Sequence, residues 1–194
     1  MKLLCIADTH GQLDDNWYNG EEYDLCIMLG DHSLGDTEKI LRYIPKEKIR
    51  AIYGNHDVPI SGRTPITHFG LTELKYEEFN GVRLLGVGGS LRYKKGYQVF
   101  WEQDECSEYM SKQPEADVLI THDLAYGERN RLLYPNITIG SQYNIPDHPA
   151  HIGLKGFAEY LTKYPKCRHI HGHIHRSYKE GNTQSVYITE SVEV

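Results

Sequence analysis

Short apolar runs, each closed by polar turn residues, recur along this chain. Residues 3–7 end at Asp8-Thr9-His10, residues 25–29 at Gly30-Asp31, and residues 49–53 at Gly54-Asn55-His56-Asp57. Runs this short, bounded by turn residues, predict buried strands. Between the second and third, Asp36-Thr37-Glu38 followed by Ile40, Leu41 and Ile44 predicts a capped helix stopped by Pro45. Alternating strand and helix predicts a mostly parallel sheet with helical crossovers. The pattern then changes. Residues 71–76 and 82–87 flank Asn80-Gly81, a pair suited to a tight hairpin, so an antiparallel portion is expected there. Residues 102–112 and 154–164 predict helices, the second stopped by Pro165, with a strand over residues 117–121. Residues 169–171, 177–179 and 185–189 predict strands around the turn Glu180-Gly181-Asn182. No repeat, low-complexity segment or linker interrupts the pattern. The 194 residues suffice for one substantial core, so a single domain over residues 1–194 is expected.

Charge narrows the range of partners. The 21 Lys+Arg against 27 Asp+Glu leave a net charge of −6, which argues against broad electrostatic binding of nucleic-acid backbones or anionic membranes. An anionic substrate then requires a local cationic site, which metal ions supply. No run approaches the roughly 20 apolar residues of a membrane span, and the apolar stretch before Asp8 is too short for a signal-peptide core. The cysteines Cys5, Cys26, Cys106 and Cys167 form no Cys-x-x-Cys pair. Cys5 and Cys26 lie inside apolar runs and read as small core residues, which fits a reducing compartment, so a cytoplasmic location without a membrane partner is the expectation.

What the apolar runs deliver suggests the chemistry. His122 follows residues 118–121, and Gly172-His173-Ile174-His175 follows residues 169–171, so five runs present a metal-type ligand at the same end. Any one of these is ordinary turn or core chemistry; five together argue for a metal site. In Asp8-x-His10 and His173-x-His175 the residues are two apart, and in extended backbone both side chains then face one side and can grip one ion. Carboxylate, imidazole and amide ligands together suit manganese, iron or zinc better than calcium or magnesium. Asp31 has two oxygens and can bridge two ions about 3.5–4 Å apart.

In this order, Asp-x-His, Gly-Asp, Gly-Asn-His-Asp, His and Gly-His-x-His resemble the calcineurin-like metallophosphoesterase superfamily, over residues 8–175. The resemblance implies an α/β fold with two mixed β-sheets packed as a sandwich and flanked by α-helices, the metals lying at the strand ends. It implies Asp8, His10, Asp31 and His175 at one metal and Asp31, Asn55, His122 and His173 at the other. His56 is then a general acid or transition-state stabiliser oriented by Asp57. Two divalent ions are the expected cofactors, manganese first, with iron, zinc or nickel as alternatives. The implied reaction is hydrolysis of a small phosphate mono- or diester by in-line attack of a metal-bridging hydroxide. A nuclease acting on short single strands is the alternative, and a metal-binding protein scaffold a weaker one, because every ligand position is filled.

Two further stretches resemble small bacterial and phage members of that superfamily. Gly88-Gly89-Ser90-Leu91-Arg92-Tyr93, followed by Gly96-Tyr97-Gln98, matches a Gly-Gly-Ser-x-Arg-Tyr segment. Its glycines admit close backbone approach, and Arg92 offers a planar fork suited to phosphate. Asp147-His148-Pro149-Ala150-His151, leading to Gly156-Phe157, matches a pattern before the last helix. Upstream, residues 125–146 are rich in Pro, Gly and Asn and read as a wall or lid of the substrate pocket. Arg129, Arg131, His148 and His151 are therefore candidate contacts beside Arg92. His32, next to Asp31, reads as either a site contact or a surface residue, and His68 and His169 as structural or surface residues. Asp123-Leu124-Ala125 stands where the superfamily often has two prolines, which leaves the substrate unassigned.

Overall fold

A computed structural model describes residues 1–57, 64–95, 99–127 and 151–194 of the chain. Its first part contains β1 (Lys2–Ala7), β2 (Leu25–Met28), α1 (Leu34–Leu41), β3 (Ile49–Ala51), α2 (Pro65–Phe69) and β4 (Thr72–Glu73). Next come β5 (Tyr76–Phe79), β6 (Val82–Val87), β7 (Ser90–Leu91), β8 (Phe100–Trp101), α3 (Gln103–Ser111) and β9 (Val118–Thr121). The last part contains α4 (Lys155–Lys163), β10 (Arg168–His171), β11 (Tyr178–Glu180), β12 (Thr183–Ser185) and β13 (Ile188–Glu193).

Two mixed sheets result. One has the order β13-β1-β2-β3-β4, parallel except for β13; the other has the order β11-β12-β10-β9-β6-β5, parallel except for β11 and β5. The inner strands β1, β2, β9 and β10 are covered on both faces, which is why they read as continuous apolar runs. Leu3, Cys5, Leu25, Ile27, Leu84, Val118, Ile120 and Ile170 fill the core between the sheets. The alternate residues Leu4, Ile6, Cys26 and Met28 pack with Ile40 of α1 and Ile66 of α2. On the far side, Leu85, Val87 and Leu119 pack with Cys106 and Met110 of α3 and Phe157 and Tyr160 of α4. The architecture is thus the expected sandwich flanked by helices. The C-terminal ends of β1, β2, β3, β9 and β10 open on one edge, the place where strand-order crevices collect ligands. No described helix is long and apolar enough to cross a membrane.

Asn80 and Gly81 form the β5–β6 hairpin, with φ of 50° and 78°, as their dipeptide predicts. Three expectations change. Residues 71–76 are divided between the sheets: β4 pairs with β3, β5 pairs with β6, and Leu74 drops into the core between them. Residues 185–189 are divided likewise, since β12 ends at Ser185 and β13 starts at Ile188, whose φ of 63° turns the chain toward the other sheet. Helix α1 begins earlier than Asp36, because Ser33 is its cap and accepts a hydrogen bond from Asp36 N at 3.0 Å.

Candidate metal centre

Asp8, Asp31, Asn55, His122 and His173 each lie just beyond a parallel strand, and the turns that carry them are pressed together. A Cβ on Gly30 would stand 2.2 Å from Gly54 N, and one on Gly54 would stand 2.1 Å from Asp31 Oδ1. The glycines of Gly30-Asp31 and Gly54-Asn55-His56-Asp57 are therefore required by contact between two backbones. Asp8, His10, Asp31, His173 and His175 all have positive φ, between 45° and 71°. The pairs Asp8-x-His10 and His173-x-His175 thus converge through left-handed turns, not through the extended backbone expected from their spacing. Each such residue costs about 1–3 kcal/mol and persists only where surrounding contacts over-determine it.

Those contacts come largely from the other turns. Asp8 N donates to Gly30 O and His10 N to Asp31 O, both at 3.1 Å. His173 N donates to Asp8 Oδ2 and His56 N to Asp31 Oδ1, both at 2.7 Å. Each carboxylate spends one oxygen on the backbone of a neighbouring turn. The other oxygens, Asp8 Oδ1 and Asp31 Oδ2, are buried with no hydrogen-bond donor among the described residues. Imidazole nitrogens gather around them. His10 Nε2 lies 3.2 Å from His175 Nε2 and 3.7 Å from Asp31 Oδ2, and His122 Nε2 lies 3.5 Å from Asp31 Oδ2. Among the described residues, two triads have ligand atoms within 4.8 Å of one another, Asp8–His10–His175 and Asp8–Asp31–His122. Asp8 is common to both, and Asp31 reaches the first through His10.

Hydrogen bonds also set which atoms face the centre. His122 Nδ1 donates to Leu29 O at 2.8 Å, so Nε2 is its inward atom, 3.0 Å from Asn55 Oδ1. Asn55 Nδ2 donates to Tyr93 OH at 3.3 Å, which turns the amide oxygen toward His122. His173 lies edge-on to His122, with ring centroids 5.0 Å apart, and its Nε2 is 3.8 Å from Asp123 Oδ1. Burial pushes Asp8 up to about 7, with repulsion from Asp31 adding to the effect. Burial acts on Asp31 in the same direction, but His122 and His56 together outweigh it and hold Asp31 well below the usual carboxylate range. His122 is raised to about 10, because Asp31 more than offsets the cost of burying the imidazolium. Carboxylates this deeply buried need positive charge beside them.

His56 sits at the exposed edge of the cluster, its ring 5.5 Å from that of His10, and partial burial lowers its pKa. Asp57, expected to orient His56, makes no hydrogen bond to the His56 ring. Its carboxylate accepts Gly54 N at 2.7 Å, Asp31 N at 3.1 Å and His32 N at 3.2 Å, stitching the two turns together. Burial and the Asp31 charge push Asp57 up to about 6. Arg92 points elsewhere: its Nε donates to Glu102 at 2.5 Å and its guanidinium lies 5.2 Å over the Phe100 ring. His151 does border the centre, with its ring edge-on to His173 at 5.3 Å. His32 is buried, with Nδ1 2.9 Å from Thr9 Oγ1. His169 is buried against Thr121 and Phe157, and His68 is exposed on α2. Arg129, Arg131, His148, and residues 128–146 of the expected pocket wall lie outside the described residues.

Sequence reasoning misses Tyr93 at Asn55, Asp123 at His173, and Tyr187, which stacks on His175 at 5.5 Å and 9°. Tyr93 and Asp123 stand beside motif residues and could be found from that adjacency. Tyr187 comes from the segment before β13 and carries no local signal.

Comparison with known proteins bears on this geometry. The family model for the calcineurin-like phosphoesterase superfamily domain matches residues 1–189. Among solved structures, the chain is similar to TT1561 of Thermus thermophilus, with a TM-score of 0.54 and 12% identity over 96% of this chain and 88% of that one. It is also similar to a Staphylococcus aureus protein provisionally described as a 5′-nucleotidase, in complex with alpha-ketoglutarate. There the TM-score is 0.52 and the identity 13%, over 96% of this chain and 48% of that one. At these identities the likeness is one of fold. No curated protein matches the sequence.

Proposed function

Because the chain belongs to the calcineurin-like phosphoesterase superfamily, we propose that it is a metal-dependent phosphoesterase that hydrolyses a small phosphate mono- or diester with the aid of two divalent ions. The observation that carries this reading is the pair of buried, donorless carboxylate oxygens, Asp8 Oδ1 and Asp31 Oδ2, set among convergent imidazole nitrogens. An unsatisfied buried acceptor costs about 1–3 kcal/mol. Two of them beside imidazole and amide ligand atoms suit cations far better than protein donors.

Asp8, His10, His175 and Asp31 would hold one ion, and Asp31, Asn55, His122 and His173 the other. The mixed oxygen and nitrogen set favours manganese, with iron, zinc or nickel as alternatives. When bound, such ions supply Lewis acidity, which activates water at neutral pH and offsets phosphoryl charge. The chain's own groups do the rest. Leu29 O fixes the ligating tautomer of His122, and Tyr93 fixes the amide of Asn55. His56, at the open edge beside His10, is placed to give a proton to the leaving alkoxide. Asp57 keeps the His56 turn against the Asp31 turn. His151, against His173, is the substrate contact best supported by its position, whereas Arg92 would first have to leave Glu102.

The test is turnover of p-nitrophenyl phosphate and of bis(p-nitrophenyl) phosphate after manganese loading, with Asp31→Asn as control. Metal-dependent hydrolysis of one or both, abolished in the variant, is expected. Failure to hydrolyse either with two ions bound would count against the reading.

A further inference from the structure

The turn that carries Asp8 and His10 is gripped from behind by the first turn of α1. Thr9 Oγ1 donates to Asp36 Oδ2 at 2.7 Å, Gly11 N donates to the same oxygen at 2.6 Å, and Leu13 N donates to Asp36 Oδ1 at 3.2 Å. Asp36 is 1% exposed, so this is a buried carboxylate that takes three hydrogen bonds from residues 9–13. The helix does not need that carboxylate as a cap, because the Ser33 side chain already fills the role. A hydroxyl has one proton to give, and Thr9 gives it to Asp36. His32 Nδ1, 2.9 Å from Thr9 Oγ1, is therefore the donor in that contact. His32 directly follows Asp31, so one buried network reaches two ligand-bearing turns.

Such a restraint matters where the backbone cannot hold itself. Asp8, His10 and Gly11 all have positive φ, of 53°, 45° and 83°. Asp36 binds the residue between Asp8 and His10 and two residues just beyond them. We propose that Asp36 is a positioning residue: acting through Thr9 and the 9–13 backbone, it sets the turn that presents Asp8 and His10 to the ion they share with His175. The inference rests on the two-ion reading above. It also makes a distinction that a merely structural role does not: in the assignment above, residues 8–13 supply ligands to the first ion, whereas Asn55, His122 and His173, on other turns, supply the second.

The test compares Asp36→Asn and the near-isosteric Thr9→Val with the conservative Thr9→Ser in the full chain. Manganese affinity is read by titration calorimetry and fold integrity by circular dichroism melts in chelator. The wild type should bind two ions. In Asp36→Asn and Thr9→Val one dissociation constant should rise about 10–100-fold, with the other within about threefold, while Thr9→Ser keeps both. Unchanged constants in the two variants would overturn the inference, and so would an equal loss at both sites. If Asp36→Asn fails to fold, Thr9→Val decides the same contrast. A folded wild type that binds no manganese would overturn the two-ion reading instead.

Discussion

Replacing Gly30 with alanine should force apart the turns that carry Asp31 and Asn55-His56-Asp57. The new Cβ would stand 2.2 Å from Gly54 N and 2.4 Å from Gly54 Cα, more than about 1 Å inside optimal carbon contact. Moving the turns far enough to relieve this lengthens the 2.7 Å bond from His56 N to Asp31 Oδ1 and the 3.1 Å bond from Asp31 N to Asp57. Overpacking typically costs about 1–3 kcal/mol, and a bond to a charged group about 1.5–3 kcal/mol. The positive φ of 98° adds a backbone penalty of its own. With about 1–2 kcal/mol for that penalty, the sum is roughly 3.5–8 kcal/mol, a large share of the roughly 5–15 kcal/mol that holds a domain folded. Two controls separate the causes. Gly81→Ala has a positive φ of 78° with nothing within 4 Å of its Cβ, so it should cost only the left-handed penalty of about 1–2 kcal/mol. Gly54→Ala has no positive φ but meets Asp31 Oδ1 at 2.1 Å, so it should behave like Gly30→Ala. Urea unfolding in chelator gives the stabilities and manganese titration the effect on the site. If Gly30→Ala were no worse than Gly81→Ala and left metal affinity unchanged, the argument that these two turns build the centre by contact would be wrong.

The other predictions concern the edge of the site and the far sheet. His56→Gln should keep both ions yet slow substrates with poor leaving groups by about 10²–10⁴-fold, and p-nitrophenyl esters much less; an equal loss across leaving groups in steady-state kinetics would remove the proton-donor role. Arg92→Gln breaks a half-exposed ion pair to Glu102 and should cost less than about 1 kcal/mol in a thermal melt. It should leave KM within a small factor, whereas a large rise in KM would return Arg92 to the substrate contacts. Hydrogen bonds from the Arg83 side chain and backbone N–H hold Asp117 below its ordinary carboxylate range. A depressed folded-state pKa stabilises fully above the unfolded value near 3.9 and loses that contribution as pH falls through the folded value. Arg83→Gln should therefore melt below the wild type at neutral pH and converge with it as the pH is lowered; a gap that widens in acid would contradict the assignment.

Much of the site is legible in the sequence because Asp8, Asp31, Asn55, His122 and His173 each close an apolar run, and parallel strands bring such ends to one edge. The local geometry is less so. Positive φ at Asp8 or His10 has no compositional mark, since the conformation is imposed by the Gly30-Asp31 turn and by Asp36, neither adjacent in sequence. Asp36 itself reads as a cap because Asp is a cap residue. What distinguishes it is the set of donors arriving from residues 9–13, a tertiary fact. Residues 71–76 read as one strand because alternation reports burial and not partner; Leu74 is buried between two short strands that join different sheets. Arg92 reads as a phosphate ligand from its chemistry, and no pattern announces that Glu102 and Phe100 will take it.

The most direct test of the account is the manganese stoichiometry of the purified chain, read with electron paramagnetic resonance and compared with Asp31→Asn. Two ions per wild-type chain with a spin-coupled signal, falling to at most one uncoupled ion in the variant, is the predicted result. Wild-type protein that hydrolyses phosphate esters at full rate with one ion or none, or a variant that keeps the coupled pair, would contradict it.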